Sequence, residues 1–434
     1  MEQKKIVLFI LIVHLAAFLA GCSGNKNSGN NDSSDLWNKL SSYFRPPAEY
    51  ENVYGNFRSP LLYYNGDIVR TVEDWQRRRT EIKDRWMSLL GQWPPVITGQ
   101  TLEILDTLHR ENFMQYRVRF YWTPNEQTEG YLLVPDKEGK KPAVITTFYE
   151  PETAIGLSGK PYRDFAYQLT KRGFVTLSIG TTKTTENQTY SIYYPTIENA
   201  TLQPLSALAY AAANAWEVLA KVQDVDSTRI GITGHSYGGK WAMFASCLYE
   251  KFACAAWGDP GIVFDETKEG YINYWEPWYL GYYPPPWEST WSKNGHDYAK
   301  GIYPKLRKEG YDLHELHALM APRPFLVSGG YSDGTDRWTA LNHTIAVNRL
   351  LGYRNNVAMS NRVNHDPTPE SNEIIYDFFK WYLYSANKST KEYKYAFFEY
   401  NFSFFCAKNR LWMPNFVLSI HPSNLNYLIK MISL

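Results

Sequence analysis

The feature that most constrains the fold is a G-x-S-x-G pattern, GHSYG, at residues 234–238. The apolar run from Arg229 to Thr233 precedes it and is typical of a buried strand, and the apolar segment from Gly238 to Tyr249 predicts a helix. A strand that passes through such a motif directly into a helix predicts a nucleophile elbow, a strained turn that lifts a serine hydroxyl above the sheet edge. The sequence therefore predicts Ser236 as a nucleophile.

The chain on both sides of this motif alternates buried strands with helices. Apolar runs predict strands, and segments of helical periodicity lie between them, including one at Leu202 to Ala220. The strands are predicted at 115–122, 130–134, 142–148, 174–179, 229–233, 252–257, 324–328 and 356–360. This rhythm predicts an α/β protein with a doubly wound, mostly parallel sheet and helices on both faces.

A serine nucleophile needs a general base and an acid that orients it, and in such folds they follow in the order serine, acid, histidine. His365 comes directly after the last predicted strand and before the final helix, so it is the predicted base. Two acids follow neighbouring strands: Asp333 in a Gly-rich turn, and Asp259 after the preceding strand. The strand position favours Asp333, with Asp259 as the rival.

Several blocks of sequence resemble the bacterial glucuronoyl esterases, α/β-hydrolases that cleave esters of 4-O-methyl-glucuronic acid in xylan. The resemblance spans roughly residues 100–384, and acetyl-xylan and dienelactone hydrolases share its general pattern. The blocks that carry it are residues 234–240, 312–319, 321–324 with Gly329-Gly330, and 365–369.

The resemblance implies the α/β-hydrolase fold, ester hydrolysis and two further residue roles. It implies that Lys240, four residues after the nucleophile, contacts the sugar acid, and it favours Asp259 as the triad acid. A triad of serine, histidine and aspartate needs no metal or organic cofactor, so none is expected. One position departs from the family, because Tyr237 stands where an arginine normally follows the nucleophile. This departure bears on specificity for uronate esters, not on ester hydrolysis.

Two further groups of residues are expected at the site. The backbone N–H of Tyr237 is the predicted first oxyanion donor, and the second is expected near Tyr149 or Glu150, after the 142–148 strand. An insertion at 265–310 is dense in aromatic residues, with nine at 271–291. Its rings, Trp275 and Trp278 among them, either stack on a sugar or form a small buried cluster under a long loop.

The N-terminus reads as a bacterial lipoprotein signal. Residues 1–21 contain a basic start and an apolar stretch, and Leu-Ala-Gly-Cys at 19–22 matches a lipobox. Lipidation of Cys22 is therefore predicted, followed by a flexible tether at 22–35, an enzymatic body at 36–386 and an atypical tail at 387–434. This arrangement places the protein in the bacterial cell envelope, anchored to a membrane by lipid.

Charge and cysteine content exclude other classes. The 45 Lys and Arg residues nearly balance the 44 Asp and Glu residues, so the net charge is +1 and a nucleic-acid partner is not expected. The four cysteines show no zinc spacing, and Cys247 and Cys254 read as buried free thiols.

The sequence thus predicts a lipid-anchored serine carboxylesterase that acts on a uronate or acetyl ester of a plant-type polysaccharide. Two alternatives stay open: a prolyl-oligopeptidase-like serine peptidase, which uses the same triad, and a non-catalytic glycan-binding lipoprotein.

Overall fold

The computed structural model describes residues 28–268, 270–286 and 299–384, and within them nine strands form a single sheet. The strands are β1 (Glu103–Arg110), β2 (Phe113–Thr123), β3 (Glu126–Pro135), β4 (Lys141–Phe148), β5 (Val175–Gly180), β6 (Val225–His235), β7 (Cys254–Gly258), β8 (Phe325–Gly329) and β9 (Val357–Asn361). They lie in the order β1-β2-β3-β5-β4-β6-β7-β8-β9. The first three strands and the β3–β5 pair are antiparallel, and every pair from β5 to β9 is parallel.

Eleven α-helices connect and flank these strands in the described part of the chain. They are α1 (Ser28–Leu40), α2 (Val72–Leu90), α3 (Pro151–Ala154), α4 (Phe165–Lys171), α5 (Thr182–Glu186), α6 (Pro204–Leu219), α7 (Tyr237–Leu248), α8 (Tyr303–Lys308), α9 (His314–Ala318), α10 (Trp338–Leu350) and α11 (Pro369–Phe379). A π-helical turn, Lys380–Tyr384, follows α11.

The sheet separates two hydrophobic clusters because successive side chains of a strand point to opposite faces. On β4, Ile145 belongs to the cluster that contains Trp241 of α7, while its neighbour Val144 belongs to the cluster that contains Phe165 of α4. Helices therefore cover both faces, which confirms the predicted doubly wound arrangement. The strand that the sequence did not predict is β1, an exposed edge strand without clear alternation.

The parallel strands bring four loops to one edge of the sheet. β6, β7, β8 and β9 all run in the same direction, so the residues that follow their carboxyl ends are neighbours. Ser236, Asp259, the 330–333 turn and His365 all come from these loops. In open α/β sheets this edge is where ligands bind.

The N-terminal part of the described chain differs in one respect from the sequence expectation. Helix α1 begins at Ser28, inside the predicted tether, and its Leu36 and Leu40 are buried in the same cluster as Trp381. The signal segment, Cys22 and the tail from 387 lie outside the described residues, so those predictions remain predictions. None of the described helices is both long and apolar enough to cross a bilayer.

Two cysteine side chains fall in the described core. Cys247 on α7 and Cys254 on β7 are both free thiols, and they are 1% and 0% exposed. The prediction of buried free thiols is therefore confirmed.

One buried carboxyl couples the stability of this fold to pH. Asp312, between α8 and α9, is 7% exposed and accepts hydrogen bonds from the N–H groups of Phe264 and Leu313. Burial raises the pKa of Asp312 to about 7, which the two amides and nearby arginines only partly oppose. The folded state therefore holds this proton more tightly than the unfolded chain does.

We expect Asp312→Asn to flatten the pH dependence of unfolding. The pKa of Asp312 is about 7 in the folded state and has the ordinary value of 3.8 in the unfolded chain. Its ionisation therefore lowers the free energy of unfolding progressively as pH rises from about 4 to about 7. The melting temperature of the variant, relative to wild type, should therefore be higher at pH 8 than at pH 5. Thermal melts at both values measure this difference, with the exposed Asp84→Asn as a control. The same difference in melting temperature between wild type and Asp312→Asn at pH 5 and at pH 8 would contradict this prediction.

Candidate active site

The turn between β6 and α7 is strained in the way a nucleophile elbow requires. Ser236 adopts φ +57° and ψ −113°, a conformation that residues other than glycine rarely take. A Cβ atom on Gly238 would lie 1.8 Å from the carbonyl oxygen of Thr147, and one on Gly234 would lie 2.4 Å from that of Gly238. The two glycines of the motif are therefore required for the strand and helix to approach this closely.

His365 lies within hydrogen-bonding reach of this serine. Its Nε2 is 2.8 Å from Ser236 Oγ. The loop that carries it runs from the end of β9 to α11, whose first turn is closed by a capping box on Thr368. The predicted pairing of serine and base is present in the structure.

Asp259 completes the chain of hydrogen bonds. Its Oδ2 is 2.6 Å from His365 Nδ1, and the residue is fully buried directly after β7. Burial alone would raise the pKa of Asp259, but the hydrogen bond and charge of His365, with help from Arg362 and the Ser332 amide, lower it below its usual range. A carboxylate in this position holds the imidazole in the tautomer whose Nε2 can accept the serine proton.

The expectation that Asp333 is the partner of His365 is wrong. Its carboxylate accepts hydrogen bonds from the N–H groups of Gly261 and Ile262 at 2.8 and 2.7 Å, on the loop after β7. In return, Asp259 accepts from the N–H groups of Gly330 and Asp333 at 2.7 and 2.9 Å. Each acid thus binds the backbone of the other's loop, and only Asp259 contacts the imidazole. Burial and the charge of Asp259 raise the pKa of Asp333.

A cavity of about 380 Å³ opens beside the nucleophile. His235 is part of its wall and is 4% exposed, with its ring centroid 4.8 Å from that of His365. Burial, together with the charge of His365, holds the pKa of His235 well below its usual range. The cavity is lined by Phe148, Tyr149, Glu150, Thr153, Lys160, Pro161, Arg163, His235, Ser236 and His365.

The two residues predicted to supply the oxyanion donors contact each other through their side chains. Tyr149 directly follows β4, and its ring stacks on that of Tyr237 with centroids 4.1 Å apart and planes 14° apart. The Tyr237 hydroxyl donates to the carbonyl oxygen of Tyr190 and lies 3.1 Å from Thr181 Oγ1. The two rings anchor the backbone at residues 149 and 237, whose N–H groups remain the predicted oxyanion donors.

The structure contradicts the expectation that Lys240 reaches the substrate cavity. Its side chain is 1% exposed, and Nζ donates to the carbonyl oxygen of Tyr271 at 2.8 Å. The ammonium lies over the rings of Tyr274 and Tyr279, 5.3 and 5.5 Å from their centroids. Burial lowers the pKa of Lys240 to about 8, opposed by the charges of Asp333 and Asp259. The segment after β7 folds over this lysine, which is not among the residues that line the cavity.

Of the two interpretations of the aromatic insertion, the structure supports the buried cluster for Trp275 and Trp278. They are 2% and 5% exposed and belong to the main hydrophobic cluster. Neither lines the cavity. The prediction that they bind substrate is therefore wrong, because this segment packs its rings inward. Trp287 and Trp291 of the same insertion lie outside the described residues.

Sequence reasoning did not identify Arg362, which fixes the histidine loop. It donates through Nη2 to the carbonyl oxygen of His365 at 2.6 Å and through Nη1 to that of Ser328 at 2.9 Å. These bonds join the end of β8 to the loop after β9. An arginine three residues before a histidine is too common a pattern to have revealed this role.

The described residues hold no group of three or more His, Cys, Asp or Glu side chains arranged to bind a metal ion. What they do hold is a hydroxyl, an imidazole and a buried carboxylate in one continuous chain of hydrogen bonds. Such a chain can deliver an alkoxide to an electrophilic carbonyl and later return the proton to a leaving group.

Comparison with known proteins relates the chain to hydrolases at the level of fold. The profile of the prolyl oligopeptidase family matches residues 212–366, and no curated protein matches significantly. A glucuronoyl esterase from Solibacter usitatus superposes with a TM-score of 0.59 at 17% identity, covering 76% of this chain and 99% of that one. A glucuronoyl esterase of carbohydrate esterase family 15 from Caldicellulosiruptor kristjansonii gives 0.55 at 20% identity, covering 79% and 94%.

A third solved structure of this kind is a promiscuous family 15 esterase from a marine bacterial metagenome. It superposes with a TM-score of 0.56 at 16% identity, covering 76% of this chain and 98% of that one. Together with the nine-stranded sheet, these likenesses establish the α/β-hydrolase fold.

Proposed function

We propose that this chain is a serine carboxylesterase that hydrolyses a uronate or acetyl ester on a plant-type polysaccharide. The observation that carries the proposal is the continuous chain from Asp259 through His365 to Ser236. It lies at the carboxyl edge of a parallel sheet, beside a cavity open enough to admit an ester group.

In the proposed mechanism, Ser236 Oγ attacks the ester carbonyl carbon while its proton passes to His365 Nε2. Asp259 stabilises the imidazolium that forms. The N–H groups of Tyr237 and Tyr149 stabilise the negative charge on the carbonyl oxygen. His365 then donates its proton to the leaving alcohol, and a water molecule activated by the same imidazole hydrolyses the acyl-serine.

Two observations support a carbohydrate ester as the substrate class. The solved structures with the same fold carry the names of glucuronoyl esterases. The cavity wall also contains three charged side chains suited to a polar acyl group, Glu150, Lys160 and Arg163. Lys160 is ion-paired with Glu150 at 3.0 Å, and Arg163 with Asp366, which is not among the lining residues, at 2.5 Å. Because each cation is already paired, the wall does not by itself select an anionic acyl group over a neutral one.

A panel of three substrates tests this proposal: methyl glucuronate, acetylated xylan and 4-nitrophenyl acetate. Turnover of the first identifies a uronate esterase, and release of acetate from the second identifies an acetyl esterase. Turnover of 4-nitrophenyl acetate alone would support ester hydrolysis by this site but contradict a carbohydrate ester as its substrate. Failure on all three would contradict the esterase function.

The second candidate is a prolyl-oligopeptidase-like peptidase, which the family match over residues 212–366 favours. A peptidase would use the same Ser236 and His365, so the triad does not separate the two activities. Cleavage of an aminoacyl anilide, with no turnover of glucuronate or acetyl esters, would select the peptidase.

We also propose that the mature protein is anchored in the bacterial cell envelope through acylated Cys22. The lipobox at residues 19–22 and the short apolar stretch before it support this anchor.

Cys22→Ser should move the protein out of the membrane fraction or leave its precursor unprocessed. The serine cannot form the thioether that carries the lipid, so the signal for anchoring is lost. Membrane partitioning and mass spectrometry of the mature N-terminus measure both effects. Cys406→Ser, far from the lipobox, is the matched control. A wild-type N-terminus without acyl chains would refute the anchor.

A further inference from the structure

Two exposed tyrosines lie beside the catalytic histidine, on loops that follow different strands. Tyr271 and Tyr331 are 41% and 44% exposed, whereas Trp275 and Trp278 of the same region are buried. The two tyrosine rings lie 4.9 Å apart between centroids, and the Tyr271 ring contacts that of His365 at 4.8 Å. Large exposed rings that touch each other at a catalytic group are suited to hold a ligand.

The backbone on both sides of this pair is fixed by buried charged groups. The Nζ of Lys240 donates to the carbonyl oxygen of Tyr271. Tyr331 lies between Gly330 and Ser332, whose N–H groups both donate to the carboxylate of Asp259. The two rings are therefore held at a defined position relative to the triad, which reduces the entropy lost when a ligand packs on them.

The position of the pair decides which half of an ester it can contact. The cavity beside Ser236 is lined by His365 and by Tyr149, which follows β4, but neither Tyr271 nor Tyr331 lines it. The Tyr271 ring instead contacts His365, which is part of the cavity wall. Because the imidazole returns its proton to the leaving oxygen, the alcohol half of the ester must lie against His365.

We propose that Tyr271 and Tyr331 form a subsite for the alcohol half of the ester, and that this alcohol presents a flat apolar face. A pyranose ring and an aryl alcohol share this chemistry, since both pack a flat face on an aromatic ring. The ammonium of Lys268 lies 4.2 Å from the Tyr331 ring centroid and places a hydrogen-bond donor at the edge of the subsite. This proposal rests on the proposed esterase function.

Acetate esters provide the sharpest test, because the acetyl group is small and makes the same demands in each substrate. Three alcohols are compared: methanol, benzyl alcohol and methyl β-xylopyranoside. For Tyr331→Ala and Tyr271→Ala, we expect the preference in kcat/KM for a ring-bearing alcohol over methanol to fall about fivefold each. Tyr331→Phe should retain the preference, since it keeps the ring, and the equally exposed Tyr121→Ala on β2 is the control.

The two ring-bearing alcohols distinguish the sources of the flat face. A loss confined to the benzyl ester identifies an aryl alcohol, and a loss confined to the xyloside ester identifies a pyranose. Unchanged preferences for both in both alanine variants would overturn the subsite.

Binding by the Ser236→Ala protein separates this inference from the esterase function. Dissociation constants for benzyl alcohol and methyl β-xylopyranoside, measured by ligand-observed NMR, should rise at least about threefold when Tyr331→Ala is added. If wild type hydrolyses none of the acetates and no methyl glucuronate, but these constants still rise, the subsite stands and the esterase function fails. If turnover is present but neither the constants nor the preferences change, the esterase function stands and the subsite is refuted.

Discussion

Ser236→Ala should reduce ester turnover by on the order of 10⁵-fold or more in kcat, close to the background left by the oxyanion donors and binding alone. The reason is that the hydroxyl 2.8 Å from His365 Nε2 is the atom that forms the acyl bond. The rest of the site remains in place, because alanine removes only the Oγ atom from the elbow. Steady-state assays of kcat on the best substrate of the panel measure this loss, and thermal melting checks that the fold is intact.

A second serine near the same imidazole provides the matched control. Ser332 Oγ lies 3.5 Å from His365 Nδ1, on the side of the ring that faces Asp259. If catalysis depends on the hydroxyl at Nε2, Ser332→Ala should cost less than about tenfold. Ester turnover by Ser236→Ala within tenfold of wild type would show that another group is the nucleophile.

The pairing of Ser236 with His365 could be predicted because both signals are local. The elbow is encoded by glycines whose Cβ atoms would collide with neighbouring backbone, and His365 is placed by chain order directly after the last strand. Strand and helix periodicities likewise predicted the sheet, apart from the exposed edge strand β1. Each of these signals is a short pattern of neighbouring residues, even where the contact that it serves joins distant parts of the chain.

The errors concern side chains whose position depends on contacts distant in sequence. Nothing in the first turn of α7 indicates that the segment after β7 will cover Lys240 and bind its ammonium through the Tyr271 carbonyl. Nor does aromatic density show whether rings face inward, as Trp275 and Trp278 do, or outward, as Tyr271 does. A lysine one turn past a nucleophile and a run of rings fit either arrangement.

The two acids show why chain order alone could not identify the orienting carboxylate. Asp259 and Asp333 follow adjacent parallel strands, so both begin at the same edge. What separates them is the direction of backbone N–H groups: those at 330, 332 and 333 converge on Asp259, while those at 261 and 262 converge on Asp333. The Asp259 carboxylate, held in this way, keeps one oxygen directed at His365 Nδ1.

This arrangement predicts that Asp259→Asn and Asp333→Asn differ by orders of magnitude. At position 259, an amide nitrogen facing Nδ1 would donate to it and drive the ring proton to Nε2, where it blocks acceptance of the serine proton. Loss of the correct tautomer costs on the order of 10⁴ in kcat in the serine protease template. At position 333, the Gly261 and Ile262 amides donate to different carboxylate oxygens, so the asparagine oxygen keeps one of these two hydrogen bonds. The side chain at this position does not contact the imidazole, so the loss falls on the loop and not on the triad.

We therefore expect Asp259→Asn to lose on the order of 10⁴ in kcat, and Asp333→Asn less than about tenfold. KM should change little at position 259, since this carboxylate is fully buried and lies behind the imidazole, away from substrate. Steady-state kinetics at matched folded fractions, checked by thermal melting, provide the comparison. The reverse pattern, with Asp259→Asn nearly as active as wild type and Asp333→Asn inactive, would mean that the imidazole moves to the other carboxylate during catalysis. The reciprocal binding of each acid to the other's loop leaves no room for that movement unless amide hydrogen bonds break among the five that hold the two carboxylates, those from the N–H groups of residues 261, 262, 330, 332 and 333.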